Sequence, residues 1–223
     1  MNEYVEWLEE VFSSHANAHI AEGQKAYMRN KFEFYGLKSP VRKGLQKKLL
    51  VKTALPDKED LHAIIKAFWD KPQREFQYFA MDLAKKYTRH FSEEDIQLFE
   101  YMVTQNSWWD TVDFIASHLM GSYFLKYPNL REGYVKKWLA SGNFWLQRSA
   151  LLFQLKYKDE LDTDLLERTI EPLLGSSVFF INKAIGWVLR EYSKTNPGWV
   201  LQYANKTNLQ PLSRKEALRI IQK

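Results

Sequence analysis

At 223 residues the chain can form one large or two small domains with a sizeable core, and glycine plus proline supply only about 7% of it, against roughly 12% in ordinary proteins. Zero cysteines exclude disulfides, thiolate zinc sites and cysteine nucleophiles, and no apolar run approaches the ~20 residues that cross a bilayer. The net charge of +5 is unevenly spread: nine basic residues against the single acid Glu33 put +8 between Gln24 and Lys52, leaving −3 for the rest.

In chain order, the opening MNEYVEWLEE is acidic and amphipathic, which reads as a helix and not as a signal peptide. The basic run from Gln24 to Lys52 follows. Such a patch is either the footprint of a phosphate-bearing partner or a solvated helix face. Beyond it, amphipathic stretches are separated by short breakers such as Leu55-Pro56-Asp57, Lys71-Pro72, Tyr127-Pro128-Asn129, Ser141-Gly142-Asn143 and Gly175-Ser176-Ser177. Ser39-Pro40 and Asn196-Pro197 read as helix caps followed by proline at the first helical position. No segment alternates as a strand does. An all-α chain of about a dozen helices is expected.

A repeat organises these helices. Tyr87, Tyr123, Tyr157 and Tyr192 are spaced by 36, 34 and 35 residues. Twelve residues before them lie Glu75, Thr111, Trp145 and Phe180, and Leu212-Ser213-Arg214-Lys215-Glu216-Ala217 reads as a fifth copy. A period near 35 residues holding two helices is the mark of a helical solenoid, in which each hairpin buries its apolar stripe against its neighbours. The polar position two steps into each second helix reads Gln77, Asp113, Gln147, Asn182 and Arg214. These residues are expected to line a common groove.

Trp109 and Asp113 stand four apart, on adjacent turns of one helix face. They fall about 90° from the apolar stripe of Trp108, Val112, Ile115, Ala116, Leu119 and Tyr123. That border suits a pocket wall, or a tryptophan that merely packs. Trp187 points away from its own helix's apolar stripe, among Lys183, Arg190 and Lys194. A large aromatic on a basic face suits nucleic acid, or packing on a neighbouring helix. Arg148 and Lys156 are expected on one helix that is apolar nearly all round and hence central, so the arginine needs a carboxylate or phosphate, and Asp113 in the neighbouring repeat is a candidate. The pair His15 and His19 reads as a frayed helix end, and no phosphate-loop, GxGxxG, GxSxG or HExxH motif occurs. No metal and no cofactor is expected.

At Trp108-Trp109-Asp110-Thr111-Val112-Asp113, Trp145-Leu146-Gln147-Arg148-Ser149-Ala150 and Lys183-Ala184-Ile185-Gly186-Trp187-Val188-Leu189-Arg190-Glu191-Tyr192, the chain closely resembles the AlkD family of bacterial alkylpurine DNA glycosylases. The likeness continues through Tyr27-Met28-Arg29-Asn30 and Lys194-Thr195-Asn196-Pro197. Where relatives often carry Gln-Thr before the proline, this chain has Lys38-Ser39. The resemblance implies a single domain over residues 1–223, a HEAT-like solenoid with duplex DNA on a concave, basic face. It implies a lesion site of Trp109, Trp187 and Asp113 with Arg148 beside it, and excision of cationic N3- or N7-alkylated purines without flipping them into a pocket. The expected DNA contacts are Tyr27, Lys38, Ser39, Arg42, Lys43, Arg148, Lys156, Lys183, Arg190, Lys194, Arg214 and Lys215. A monomeric, cytoplasmic, nucleoid-associated protein follows, acting on double-stranded DNA with alkylated bases. The rivals are a non-catalytic HEAT module binding DNA or RNA, and a protein-interaction scaffold. The first gives no reason for Asp113, because a carboxylate in an anion-binding groove repels phosphate.

Overall fold

The computed structural model describes residues 2–221. Among them every regular element is helical, and the one β contact is an isolated bridge between Glu33 and Gln73. None of these helices is long and apolar enough to cross a membrane. The chain divides into two compact units, residues 1–90 and 91–223.

The first unit holds α1 (Asn2–Ser14), α2 (Ala18–Tyr27), α3 (Ser39–Gln46) and the hairpin of α4 (Leu61–Trp69) and α5 (Arg74–Lys86). Val5, Leu8 and Phe12 recur at helical spacing along α1 and are buried. Phe12, Phe68, Phe76 and Phe79 form an aromatic core, with ring centroids 4.8–5.9 Å apart. At the start of α5 the buried Glu75 carboxylate accepts N–H bonds from Tyr35, Gly36 and Leu37 at 3.1, 3.0 and 3.1 Å. A carboxylate at a helix start is favoured by the helix dipole, and here it also hangs the preceding loop. Gly36 makes the turn possible: its φ is +87°, and a Cβ there would lie 2.1 Å from the Asn17 carbonyl oxygen. Helix α3 begins one residue earlier than expected, with Lys38 and not Ser39 in the cap position and no side-chain cap bond.

The second unit is a run of four hairpins. Helix α6 (Asp95–Thr104) pairs with α7 (Trp109–Phe114), which runs through a π-helical turn (Ile115–Met120) into α8 (Gly121–Lys126). Then come α9 (Arg131–Ala140) with α10 (Phe144–Leu152), α11 (Thr163–Ile170) with α12 (Phe179–Tyr192), and α13 (Pro197–Lys206) with α14 (Pro211–Leu218). The second helices pack in succession, α7 on α10, α10 on α12 and α12 on α14, as a helical repeat requires. The expected cap at Asn196 is present, its side chain accepting from Trp199 N at 3.0 Å. Helix α10 stops at Leu152, so Lys156 is exposed in the turn beyond it and does not sit on a central helix. The chain folds back there because Gln154 Oε1 accepts from Asp162 N at 2.8 Å and Tyr157 donates its hydroxyl to the Gly121 carbonyl at 2.7 Å.

The repeat has a chemical basis. Tyr87 and Tyr123 each donate to a carbonyl about 30 residues back, Pro56 and Glu93, and burial raises both hydroxyl pKa values. In four of the five second helices the polar position closes its own hairpin. Gln77 Nε2 donates to Trp69 O at 2.8 Å and Lys71 O at 2.7 Å, and Gln147 Nε2 to Leu139 O at 3.1 Å. Asn182 Nδ2 donates to Ser176 O at 2.7 Å, and Arg214 Nη1 to Ala204 O. These carbonyls lie at or just beyond the end of the preceding helix, or in the loop that follows it, where the last helical carbonyls lack intrahelical donors. The recurrence read as a groove lining is, at four of five positions, a loop fastening.

Candidate active site

The exception is Asp113. The apolar stripe of its helix faces inward as expected, with Trp108, Val112, Ile115, Ala116, Leu119 and Tyr123 buried, while Trp109 and Asp113 lie half-buried at the border. An ionised carboxylate has no proton to donate, so it cannot fasten a loop carbonyl as the amides do. It reaches instead to the next repeat. Arg148 Nε donates to Asp113 Oδ1 at 2.7 Å and Arg148 Nη2 to Oδ2 at 2.9 Å, a two-pronged pairing. The third prong, Nη1, donates to the Phe180 carbonyl at the start of α12. Three consecutive second helices thus meet at one guanidinium.

The pair is mostly buried, with side-chain exposure of 4% for Arg148 and 14% for Asp113. Burial raises the Asp113 pKa above its ordinary value of 3.8, against the opposing pull of the Arg148 hydrogen bonds and charge, while Asp110 adds a further rise. Such a pair contributes little net stability, because desolvation offsets the attraction, but it fixes geometry. The main chain just past Asp113 enters the π-helical turn, and Ser117 Oγ donates to the Asp113 carbonyl at 2.6 Å. The rings of Trp108, Trp145 and Phe180, from the same three second helices or their caps, cluster with centroids 4.9–5.8 Å apart. Of these, the Phe180 ring lies under the guanidinium, its centroid 6.0 Å from Arg148 Cζ.

On α12, Ile181, Ala184, Ile185, Val188, Leu189 and Tyr192 are buried and Trp187 is half-buried, which matches the expected facing. Next to it, a Cβ on Gly186 would lie 2.5 Å from Glu216 Cβ and 2.8 Å from Ser213 O, so glycine lets α14 approach closely. That approach brings Glu216 between Lys183, 2.6 Å away, and Arg190. Hydrogen bonding from Lys183, with the charges of Lys183, Arg190 and Arg219, lowers the Glu216 pKa despite its burial. Sequence reasoning missed Glu216; the available signal was that it is the one acid of α14.

The expected DNA-contacting residues fall into three groups. Tyr27, Lys38, Ser39, Lys43, Lys156, Lys194 and Lys215 are exposed, Lys194 being paired with Glu191 at 2.6 Å. Lys183 and Arg190 are half-buried on Glu216. Arg42, Arg148 and Arg214 are engaged within the protein: Arg42 with Asp82 at 3.0 Å and Gln46 at 2.7 Å, Arg148 with Asp113, and Arg214 with the end of α13.

Fold and site together define a helical-repeat protein carrying a tryptophan-flanked carboxylate anchored by an arginine. A family model described as DNA alkylation repair enzyme matches residues 8–221, and the chain belongs to that family. It is similar to the solved structure of a predicted DNA alkylation repair enzyme from Enterococcus faecalis, with 37% identity, a TM-score of 0.87, and coverage of 93% of this chain and 97% of that one. A comparison with curated proteins gives no match. Family membership places the chain in DNA alkylation repair.

Proposed function

We propose that the chain is a DNA glycosylase that hydrolyses the N-glycosidic bond of N3- and N7-alkylated purines in duplex DNA, with Asp113, Trp109 and Trp187 as its catalytic residues. The observation that carries this reading is the Asp113–Arg148 pair: a carboxylate stands where the repeat elsewhere uses a donor, and it is held by two hydrogen bonds. Alkylation at N3 or N7 makes the purine cationic and a good leaving group, so no strong general acid is needed. As the C1′–N bond breaks, positive charge passes to the sugar. A fixed carboxylate in a partly dry site stabilises that charge and orients the attacking water. Arg148 aims the carboxylate and opposes the effect of burial, which would otherwise favour its protonated form. Tryptophan faces attract the cationic nucleotide by about 0.5–2 kcal/mol each.

In this reading the lesion stays outside any pocket and meets Asp113 at the border of core and solvent, where the side chain keeps 14% of its surface exposed. The exposed cations of α3 and its cap, Lys38 and Lys43, and Lys215 supply phosphate contacts. Lys183 and Arg190 join them only by sharing Glu216. The test is incubation with a duplex bearing one N7-methylguanine. Free base and an abasic site are expected. Tight duplex binding with no base release would favour the non-catalytic binding module.

A further inference from the structure

The first unit contains a cavity of about 670 Å³ beside α2, α3 and α5. Its volume lies within the range of small-ligand sites. Ile20, Met28, Phe34 and Leu37 give it an apolar floor, and the rings of Tyr27 and Tyr78 line it. The floor is held in shape by the three N–H bonds to Glu75, which fix the loop carrying Leu37. At the rim stand Lys38 and Ser39, and no lining side chain is acidic. Tyr27 is 70% exposed, at the last turn of α2. Gln24 lines the wall, and its Nε2 makes a long 3.3 Å bond to Leu37 O, while its Oε1 is sealed from solvent with no hydrogen-bond partner. A buried acceptor without a donor is unfavourable, and a ligand that supplies the donor relieves it.

These features share one complement. The floor and rings suit a planar aromatic ring, a turn of the Gln24 amide offers an acceptor to a ring-borne amino group, and the lysine at the rim suits an anion. We propose that the cavity binds a single unpaired nucleotide carrying an amino group on its base, with the base stacked on tyrosine and the phosphate at Lys38. The surrounding +8 run favours an anionic ligand over a neutral aromatic one. The occupant is either a free nucleoside monophosphate or an unpaired nucleotide in DNA, which present the same chemistry. The site lies in the unit that lacks Asp113, so the inference does not rest on base excision.

The test uses the full chain carrying Asp113→Asn, so that base release plays no part in the outcome. Its probes are 2-aminopurine deoxyribonucleoside monophosphate, a duplex with one bulged 2-aminopurine, and the same duplex fully paired. Saturable fluorescence changes with the monophosphate, the bulge or both are expected, and which probe responds identifies the source. Gly23 lines the cavity, and a Cβ there meets no atom within 4 Å, so Gly23→Leu fills the mouth without disturbing the helix. It should weaken binding at least tenfold. Deoxyribose 5-phosphate, which lacks the base, should not displace the probe. The proposal is overturned if neither probe saturates, if Gly23→Leu binds equally well, if the base-free sugar phosphate competes as well as the nucleotide, or if the paired duplex gives the same Gly23→Leu-sensitive signal.

Discussion

In the hairpin of α4 and α5, Gln77 is buried and spends its amide on the carbonyls of Trp69 and Lys71. In the hairpin of α6 and α7, the same register holds Asp113, and the loop is closed without it: Ser107 Oγ donates to Val103 O at 2.5 Å. Relieved of the local task, Asp113 binds Arg148 in the next repeat. A residue that departs from its repeat's structural use, while a neighbour takes over that use, is a candidate for a role beyond folding. The comparison therefore separates two kinds of polar residue that a sequence pattern shows as one.

That separation can be broken most severely at Arg148. Arg148→Ala leaves a mostly buried carboxylate without its partner, a change that costs about 3–5 kcal/mol in comparable buried pairs. Chemical denaturation at neutral pH should report a loss of this size. The sign with pH follows from linkage. With the arginine gone, the Asp113 pKa rises further above its unfolded value, so the folded state holds the proton more tightly. The stability lost at neutral pH should then return as pH falls and Asp113 is protonated. Base release should move oppositely, its acid limb shifting to higher pH than in the wild type, whose own limb already lies above the ordinary carboxylate value of 3.8 because burial raises it. A pH–rate profile that does not move would mean that another group carries the charge.

The structural half of the comparison predicts a smaller effect. Gln77→Leu removes the donor from carbonyls at the end of α4 and should cost about 1–3 kcal/mol in denaturation. Base release measured on the folded fraction should be unchanged. If Gln77→Leu slowed base release as strongly as a change at Asp113, the distinction between the two positions would fail.

Much of this was legible in the sequence because it depends on periodicity. The spacing of Tyr87, Tyr123, Tyr157 and Tyr192 located the second helix of each hairpin, and the 90° offset of Trp109 and Asp113 placed them at the border of core and solvent. The register also brings Asp113 one step from Arg148, the pairing the structure contains. What the amides of Gln77, Gln147 and Asn182 do was not legible, because their partners are main-chain carbonyls in loops, which carry no side-chain signature. Glu216 escaped for a related reason: it meets Lys183 and Arg190 because Gly186 lets two helices approach, and close approach is a tertiary fact. The end of α10 before Lys156 was missed because the apolar run continues past the point where Gln154 and Tyr157 turn the chain back.

The central claim is that the Asp113 carboxylate acts on the substrate and is more than a counterion for Arg148. Single-turnover release of N7-methylguanine by Asp113→Asn, alongside duplex affinity, tests it most directly. The substitution removes the negative charge and keeps the size. Release should fall by about 10²–10³-fold, the scale for losing one preorganised electrostatic group, while duplex affinity holds or rises slightly. Release at the wild-type rate would make Asp113 a structural partner of Arg148 and contradict the mechanism, even if the protein remained a glycosylase.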